Sequence, residues 1–186
     1  NLWLEGLYNS NGIMNPSLDA AGLPVWSSTI ADQITVELHD NSNFSNIIFT
    51  KHEILLNTDG SISLSVPSAY SGSYYIAIRH RSGIITCSAV PVTFNTPTIS
   101  YSFNLANKAY GDNLKLMPDG WFALYGGDVN QDGIVDTADM TPVDNGSASY
   151  QSGYRNPDAN GDGIIDTADM TLVDNNSANY VSAIYP

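Results

Sequence analysis

Asp128-Val129-Asn130-Gln131-Asp132-Gly133-Ile134-Val135-Asp136-Thr137-Ala138-Asp139 returns thirty residues later as Asp158-Ala159-Asn160-Gly161-Asp162-Gly163-Ile164-Ile165-Asp166-Thr167-Ala168-Asp169. Each copy places side-chain oxygens at loop positions 1, 3, 5, 9 and 12 and a glycine at position 6. A hard cation such as calcium takes about six to eight oxygens at roughly 2.3–2.6 Å, and this spacing wraps one short loop around it. The glycine permits the sharp turn, where a Cβ would meet a positive-φ penalty. In the first loop the pattern assigns Asp128, Asn130 and Asp132 as side-chain ligands and Ile134 as a carbonyl ligand. Asp136 is expected to act through a water, and Asp139 to close the site. The second loop repeats this with Asp158, Asn160, Asp162, Ile164, Asp166 and Asp169. Position 12 is Asp rather than Glu, so the shorter arm requires the entering helix to lie closer to the ion.

Charge points the same way. Residues 126–186 carry ten Asp against a single Arg155, a net of −9. The competing reading, two acidic turns without metal, leaves that repulsion uncompensated at a cost of several kcal/mol. No Cys or His lies in either loop, so oxygen-only ligation favours calcium over zinc. The expectation is two calcium ions with a structural role.

The repeat extends beyond the loops: 127–156 and 157–186 share 18 identities in 30 positions, including Met140/Met170, Val143/Val173 and Tyr150/Tyr180. Asp-x-Asn-x-Asp-Gly-x-x-Asp-x-x-Asp-Met-Thr resembles the duplicated calcium-loop-and-helix segment of type I dockerins, which are similar in fold to half EF-hands. The resemblance implies a module that docks secreted bacterial enzymes onto cohesin-like proteins. Several residues depart from that pattern. Pro142 removes a backbone donor early in the first helix. Asn145-Gly146 and Asn175-Asn176 read as helix stops, which predicts helices of only about two turns. Neither helix carries a basic residue, and Ala138 and Ala168 stand where the recognition pair has a hydroxyl. These departures bear on cohesin docking rather than on the calcium fold. Helices so short are unstable alone, so the two repeats should pack antiparallel about a rough two-fold axis. Met140, Val143, Met170 and Val173, with Ile134 and Ile164, are the expected shared core.

Residues 1–125 show period-two patterning bounded by turn residues. The expected strands are Leu2–Tyr8, Gln33–His39, Ile47–Leu56, Ser61–Val66, Ser73–Arg81, Ile84–Phe94, Thr98–Leu105, Leu114–Met117 and Trp121–Tyr125. Asn57-Thr58-Asp59-Gly60, Ser82-Gly83 and Pro118-Asp119-Gly120 are turn candidates. The resulting fold class is mainly β: an antiparallel β-sandwich over 1–125, then a small two-calcium dockerin-like helical unit over 126–186. Leu4-Glu5-Gly6 with Met14-Asn15, Tyr75-Ile76-Ala77-Ile78-Arg79-His80-Arg81, Lys108-Ala109-Tyr110-Gly111 and Gly127-Asp128-Val129-Asn130 resemble the C-terminal regions of many large secreted bacterial proteins. In that group such a pair of modules follows polysaccharide-degrading or adhesive domains.

The chain's net charge of −13 argues against nucleic acid and anionic membranes as partners. No apolar run approaches the roughly 20 residues of a membrane helix. Cys87 cannot pair within the chain and reads as a small buried hydrophobe. Abundant Ser, Thr, Asn and Tyr with few Lys favour a secreted or extracellular setting, the cell surface included. Leu2-Trp3-Leu4 already reads as a strand, and the chain is expected to be a piece of a longer secreted protein.

No catalytic residues emerge. His39, His52 and His80 fall on different strands and read as partly exposed, Gly-x-Ser-x-Gly is absent, and the three glutamates lie scattered on strand patterns. Alternation over 73–81 places Tyr74, Ile76, Ile78 and His80 on a core face and Tyr75, Ala77, Arg79 and Arg81 on an exposed one. A tyrosine beside guanidinium groups can stack on a sugar and donate hydrogen bonds to it. The bland alternatives are a solvated strand face, or arginines paired with the acidic repeats. Trp26, in Pro24-Val25-Trp26-Ser27-Ser28, is another aromatic platform. The expectation is therefore a non-catalytic calcium-binding module that binds polysaccharide through Tyr75, Arg79, Arg81 or Trp26, beside the catalytic domain of its parent protein. The rival is a protein-interaction or anchoring module.

Overall fold

The computed structural model describes residues 1–186 throughout. The strands are β1 (Tyr8–Ser10), β2 (Ile13–Met14), β3 (Ile30–Asp40), β4 (Ile47–Asn57), β5 (Ser73–His80), β6 (Gly83–Cys87), β7 (Val92–Thr93), β8 (Lys115–Leu116) and β9 (Phe122–Ala123). The helices α1 (Thr137–Ala148) and α2 (Thr167–Ala178) end the chain. The main sheet has the order β4-β3-β5-β6 with β7 also on β5, while β1–β2 and β8–β9 form separate ribbons. Every strand pairing is antiparallel. The protein is mainly β with two helices, and no helix is long and apolar enough to cross a membrane.

Central position explains the composition of β3, which is paired on both sides and buried along most of its length. Edge strand β4 exposes Lys51, His52 and Glu53. Its register against β3 slips at that point, where Glu53 adopts a φ of 56°. A bulge and exposed charges are devices that keep a sheet edge from pairing with another chain. The larger core joins Leu2, Trp3, Leu4, Leu7 and Met14 to Ile34, Val36, Ile54, Leu56 and Ile78, closed by Phe103, Leu114 and Leu124. Trp3 and Trp121 meet edge-to-face at 4.7 Å beside it.

Several expected strands take other forms. Leu2–Tyr8 breaks into a 3-10 turn at Glu5–Leu7, and Gly6 within it comes so close to the second repeat that a Cβ would lie 2.0 Å from the Ala159 carbonyl oxygen. Ser61–Val66 and Thr98–Leu105 form no ladder, although Ile62, Leu64 and Tyr101 still pack on the core. Alternation there records burial of every second side chain rather than backbone pairing. Ile84–Phe94 is interrupted between Cys87 and Val92, ahead of Pro91. The turn joining β5 to β6 is Arg81-Ser82, one residue earlier than expected, since His80 pairs with Gly83. Asn57–Gly60 and Pro118–Gly120 are turns as read.

Both helices are twelve residues long, not about two turns. Asp136 and Asp166 cap them in reciprocal capping boxes with Asp139 and Asp169, which satisfies first-turn donors and favours acid at the positive helix end. The expected stops are overridden by packing. Gly146 is buried inside α1, and its counterpart Asn176 is fully buried in α2. Asn176 donates to Glu5 Oε2 at 2.6 Å and to the Gly126 carbonyl at 2.9 Å.

The repeats exchange backbone contacts symmetrically. Val135 N donates to Val181 O and Ile165 N to Gln151 O, while Ala183 N donates to Gly133 O and Gly153 N to Gly163 O. Their core is Val129, Val135, Val143, Ile165, Val173 and Val181 with Ile84 from the sheet, flanked by Met140 and Met170. Ile134 and Ile164 do not join it; they are 51% and 56% exposed. Each loop turns its position-8 side chain inward and leaves position 7 outside. A Cβ at Gly146 would lie 2.8 Å from Ile165 Cγ2, a stiff β-branched group. Gly146→Ala should therefore lower stability by about 1 kcal/mol, overpacking outweighing the gain in helix propensity. Thermal unfolding checks this, with a midpoint drop of about 2–4 °C expected.

Candidate metal centres

Each loop is shaped by its own side chains. Asn130 Oδ1 accepts from Asp132 N at 2.8 Å, and Asp132 Oδ1 from Ile134 N at 3.0 Å. The second loop matches them with Asn160 on Asp162 N at 2.8 Å and Asp162 on Ile164 N at 2.9 Å. These successive Asx turns coil the backbone at the spacing the sequence implies. Asp139 is fully buried and ties the loop ends together, accepting from Val129 N, Asn130 N and Asp136 N. Asp169 does the same for Asn160 N and Asp166 N. The carboxylates rest largely on backbone N–H groups, and no group of three or more Asp, Glu, His or Cys side chains stands close enough to hold an ion.

The loops differ at position 1. Asp128 accepts from Asp132 N and Gly133 N, both at 3.1 Å. Asp158 is fully buried, and neither of its carboxylate oxygens has a hydrogen-bond partner. An isolated buried carboxylate is costly unless a cation meets it. The nearest is Arg81, whose Nη2 lies 3.9 Å from Asp158 Oδ2. Burial pushes the Asp128 carboxyl up to about 6, with Asp139 and Asp132 adding repulsion. Burial pushes Asp158 up to about 7 even against Arg81, with Asp169 and Asp162 opposing its charge. Asp139 and Asp169 are raised for the same leading reason.

Arg81 corrects the expectation of an exposed face. Its side chain is only 9% exposed and turns toward the repeats. Nε meets Asp32 Oδ2 at 3.2 Å, Nη1 donates to the carbonyls of Arg155 and Asp158, and the guanidinium lies 4.5 Å from the Tyr154 ring centre. The strand ends at His80, so alternation no longer governs residue 81. Asp32 also accepts from Ser17 Oγ at 2.7 Å and from Tyr154 OH at 2.5 Å, and faces His80 Nε2 at 3.1 Å. Burial alone would raise its carboxyl; His80, Arg81 and Tyr154 outweigh that and hold it well below the usual range.

A second cluster lies on the same strands. Arg79 Nε reaches both Glu37 oxygens at 3.0 Å, and His39 Nε2 meets Glu37 Oε2 at 2.9 Å. Arg79 remains exposed, as expected. His39 and His80 are 3% and 6% exposed, each against a buried carboxylate; alternation places His80 on this inner face, whereas His39 reads as partly exposed. Tyr75 is half-buried between Phe44 and Tyr110, and Trp26 is half-buried edge-on to Tyr154 at 5.2 Å. Arg79 and Glu37, and Trp26 and Tyr154, lie tens of residues apart without a motif, so the sequence alone does not pair them.

Ser82, His80 and Asp32 form a serine–histidine–aspartate line, with Ser82 Oγ 3.4 Å from His80 Nδ1. Ser82 is 1% exposed, and the adjoining cavity is about 10 Å³, room for one water and no substrate. The line is a packing network. Cys87 is equally enclosed, and burial pushes its thiol up to about 12.

Because Asp128 and Asp158 hold protons more tightly when folded, these two groups bind more protons in the folded state than in the unfolded one between about pH 4 and 7. Their contribution in chelator-treated protein must therefore weaken as pH rises through that window. Asp158→Asn should flatten the slope. Thermal unfolding at stepped pH in chelator measures both.

Comparison with protein-family models, curated proteins and solved structures returns no match.

Proposed function

We propose that this chain is a non-catalytic accessory module of a secreted protein: a two-layer β-sandwich over 1–125 carrying a dockerin-like unit over 126–186 that binds two calcium ions. The observation that carries the metal reading is the buried carboxylate of Asp158, which accepts no hydrogen bond and has only Arg81, at 3.9 Å, as a cation. Asp128, Asn130, Asp132, the Ile134 carbonyl, Asp136 and Asp139 would hold one ion. Asp158, Asn160, Asp162, the Ile164 carbonyl, Asp166 and Asp169 would hold the other. The outward side chains of Ile134 and Ile164 are compatible with carbonyl ligation. Calcium would supply the positive charge that ten clustered carboxylates need.

The work of the module is carbohydrate binding for a neighbouring catalytic domain. Arg79 supports this, since it stays exposed while Glu37 fixes its inner edge. Arg81 is committed to the junction, and Tyr75 and Trp26 are partly covered. One observation favours the anchoring alternative. Tyr150 and Tyr180 are 93% and 90% exposed and hold φ values of 54° and 55°. A bulky residue past a helix end, where glycine is usual, is a costly choice in both copies. Docking of a cohesin-like partner would use it.

Calorimetric titration of chelator-stripped protein should show two calcium ions per chain. Asp132→Ala with Asp162→Ala should abolish both. With calcium about a thousandfold above its dissociation constant, each site should stabilise the fold by about 4 kcal/mol. A stoichiometry of zero would end the metal reading. For the sandwich, retention on polysaccharide that survives Tyr150→Ala with Tyr180→Ala separates carbohydrate binding from docking.

A further inference from the structure

Between the main sheet and the first Asp-rich loop lies a cleft of about 240 Å³. Phe44, Arg79, Gln131, Asp132 and Tyr185 line it. Its aromatic wall is built as a stack. His39 lies 4.1 Å from Phe44 at 13°, and Phe44 lies 5.1 Å from Tyr185 at 8°. His39 is in turn held by Glu37 and the Phe44 carbonyl. Tyr185, the outer ring, is thus fixed in orientation and remains 51% exposed.

The polar wall offers both kinds of hydrogen-bonding group. Arg79 uses Nε on Glu37, and its two Nη groups make no hydrogen bond within the chain. Gln131 donates to the Asp128 carbonyl at 2.7 Å, so its side-chain oxygen is left as an acceptor. Asp132 is exposed beside it. Donors facing acceptors across a short gap, next to a flat ring, suit adjacent hydroxyls on a sugar whose C–H face covers the ring. The charge balance selects among sugars. Glu37 offsets Arg79, and the four carboxylates of the first loop, Asp128, Asp132, Asp136 and Asp139, stay net negative even around one calcium ion, so an anionic sugar would be repelled. The volume is below the roughly 300–1,000 Å³ of drug-sized sites, which fits one ring of a chain.

We propose that this cleft is the saccharide site, and that it takes a neutral sugar with vicinal hydroxyls. The proposal rests on the carbohydrate-binding reading and moves its centre from the Tyr75 face and the Trp26 loop to the seam between sheet and first loop.

Affinity electrophoresis in calcium against soluble β-glucan, xylan and galactomannan, with polygalacturonate as the anionic arm, tests it. Wild-type protein should be retarded by at least one neutral polysaccharide. Tyr185→Ala should weaken that retention about five- to tenfold. Gln131→Gly should weaken it as well, and its backbone is safe because Gly161 holds the same loop position at a φ of 74° beside Gln131's 64°. Thermal unfolding confirms that both variants fold. Unchanged retention of Tyr185→Ala overturns the cleft while leaving carbohydrate binding in place, and loss in Trp26→Ala instead would locate it at that loop. Retention on polygalacturonate alone overturns the neutral-sugar assignment. No retention of wild-type protein on any matrix overturns the cleft and the carbohydrate reading together.

Discussion

Arg81 is the guanidinium on which the two halves of the chain depend. It lies between two fully buried carboxylates, Asp32 of the sheet and Asp158 of the second loop. Removing it would leave Asp158 without its nearest cation and Asp32 with only His80, Ser17 and Tyr154, the kind of loss that costs about 3–5 kcal/mol at buried pairs. A lysine could not replace it, because its job needs a planar fork reaching a carboxylate and two carbonyls at once. The acidic repeats and the sheet are therefore joined by a charged contact as well as an apolar one. Ile84 supplies the apolar part, packing among the valines of the repeat core.

The same junction explains why two nearly identical repeats are not interchangeable. Position 4 of the first loop is Gln131, which reaches back to the Asp128 carbonyl. Position 4 of the second is Gly161, where a Cβ would lie 2.2 Å from Leu7. The second loop is pressed against the N-terminal segment, with Leu18 N donating to Gly161 O, and has no room for a side chain. The first loop borders the open cleft and keeps one. Gly146 and Asn176 divide the same way: one meets Ile165, while the other bonds Glu5 and the Gly126 carbonyl. Two-fold symmetry built the unit, and attachment to the sheet broke it.

Local chemistry explains what was legible beforehand. Loop spacing depends on residues within a dozen positions of one another, so the turns of 128–139 and 158–169 and the helices that follow were legible, while the capping boxes of Asp136 and Asp166 and the full helix length were not. Strands β3, β4 and β5 were legible because alternation and pairing coincide there. Elsewhere they part. Ser61–Val66 alternates like a strand but buries its side chains without a ladder. The Asn145-Gly146 stop is only a weak preference, and a packed helix face overrides it. Arg81 leaves the exposed face that alternation implies because β5 ends at His80, one residue before it.

Burial decides which charged residues are left for function. Glu37 and Asp32 stand on the same strand, and each draws one histidine and one arginine: His39 of β3 and Arg79 of β5 for Glu37, His80 of β5 and Arg81 just past it for Asp32. The Asp32 set is closed on every side by Ser17, Tyr154 and the second loop, so its capacity is used within the fold. The Glu37 set is closed on one side only. His39 locks under Phe44, but Arg79 turns its outer nitrogens toward the cleft beside the first loop. Two clusters of the same composition thus have different roles: the enclosed one joins the halves, and the open one presents donors beside a fixed aromatic ring.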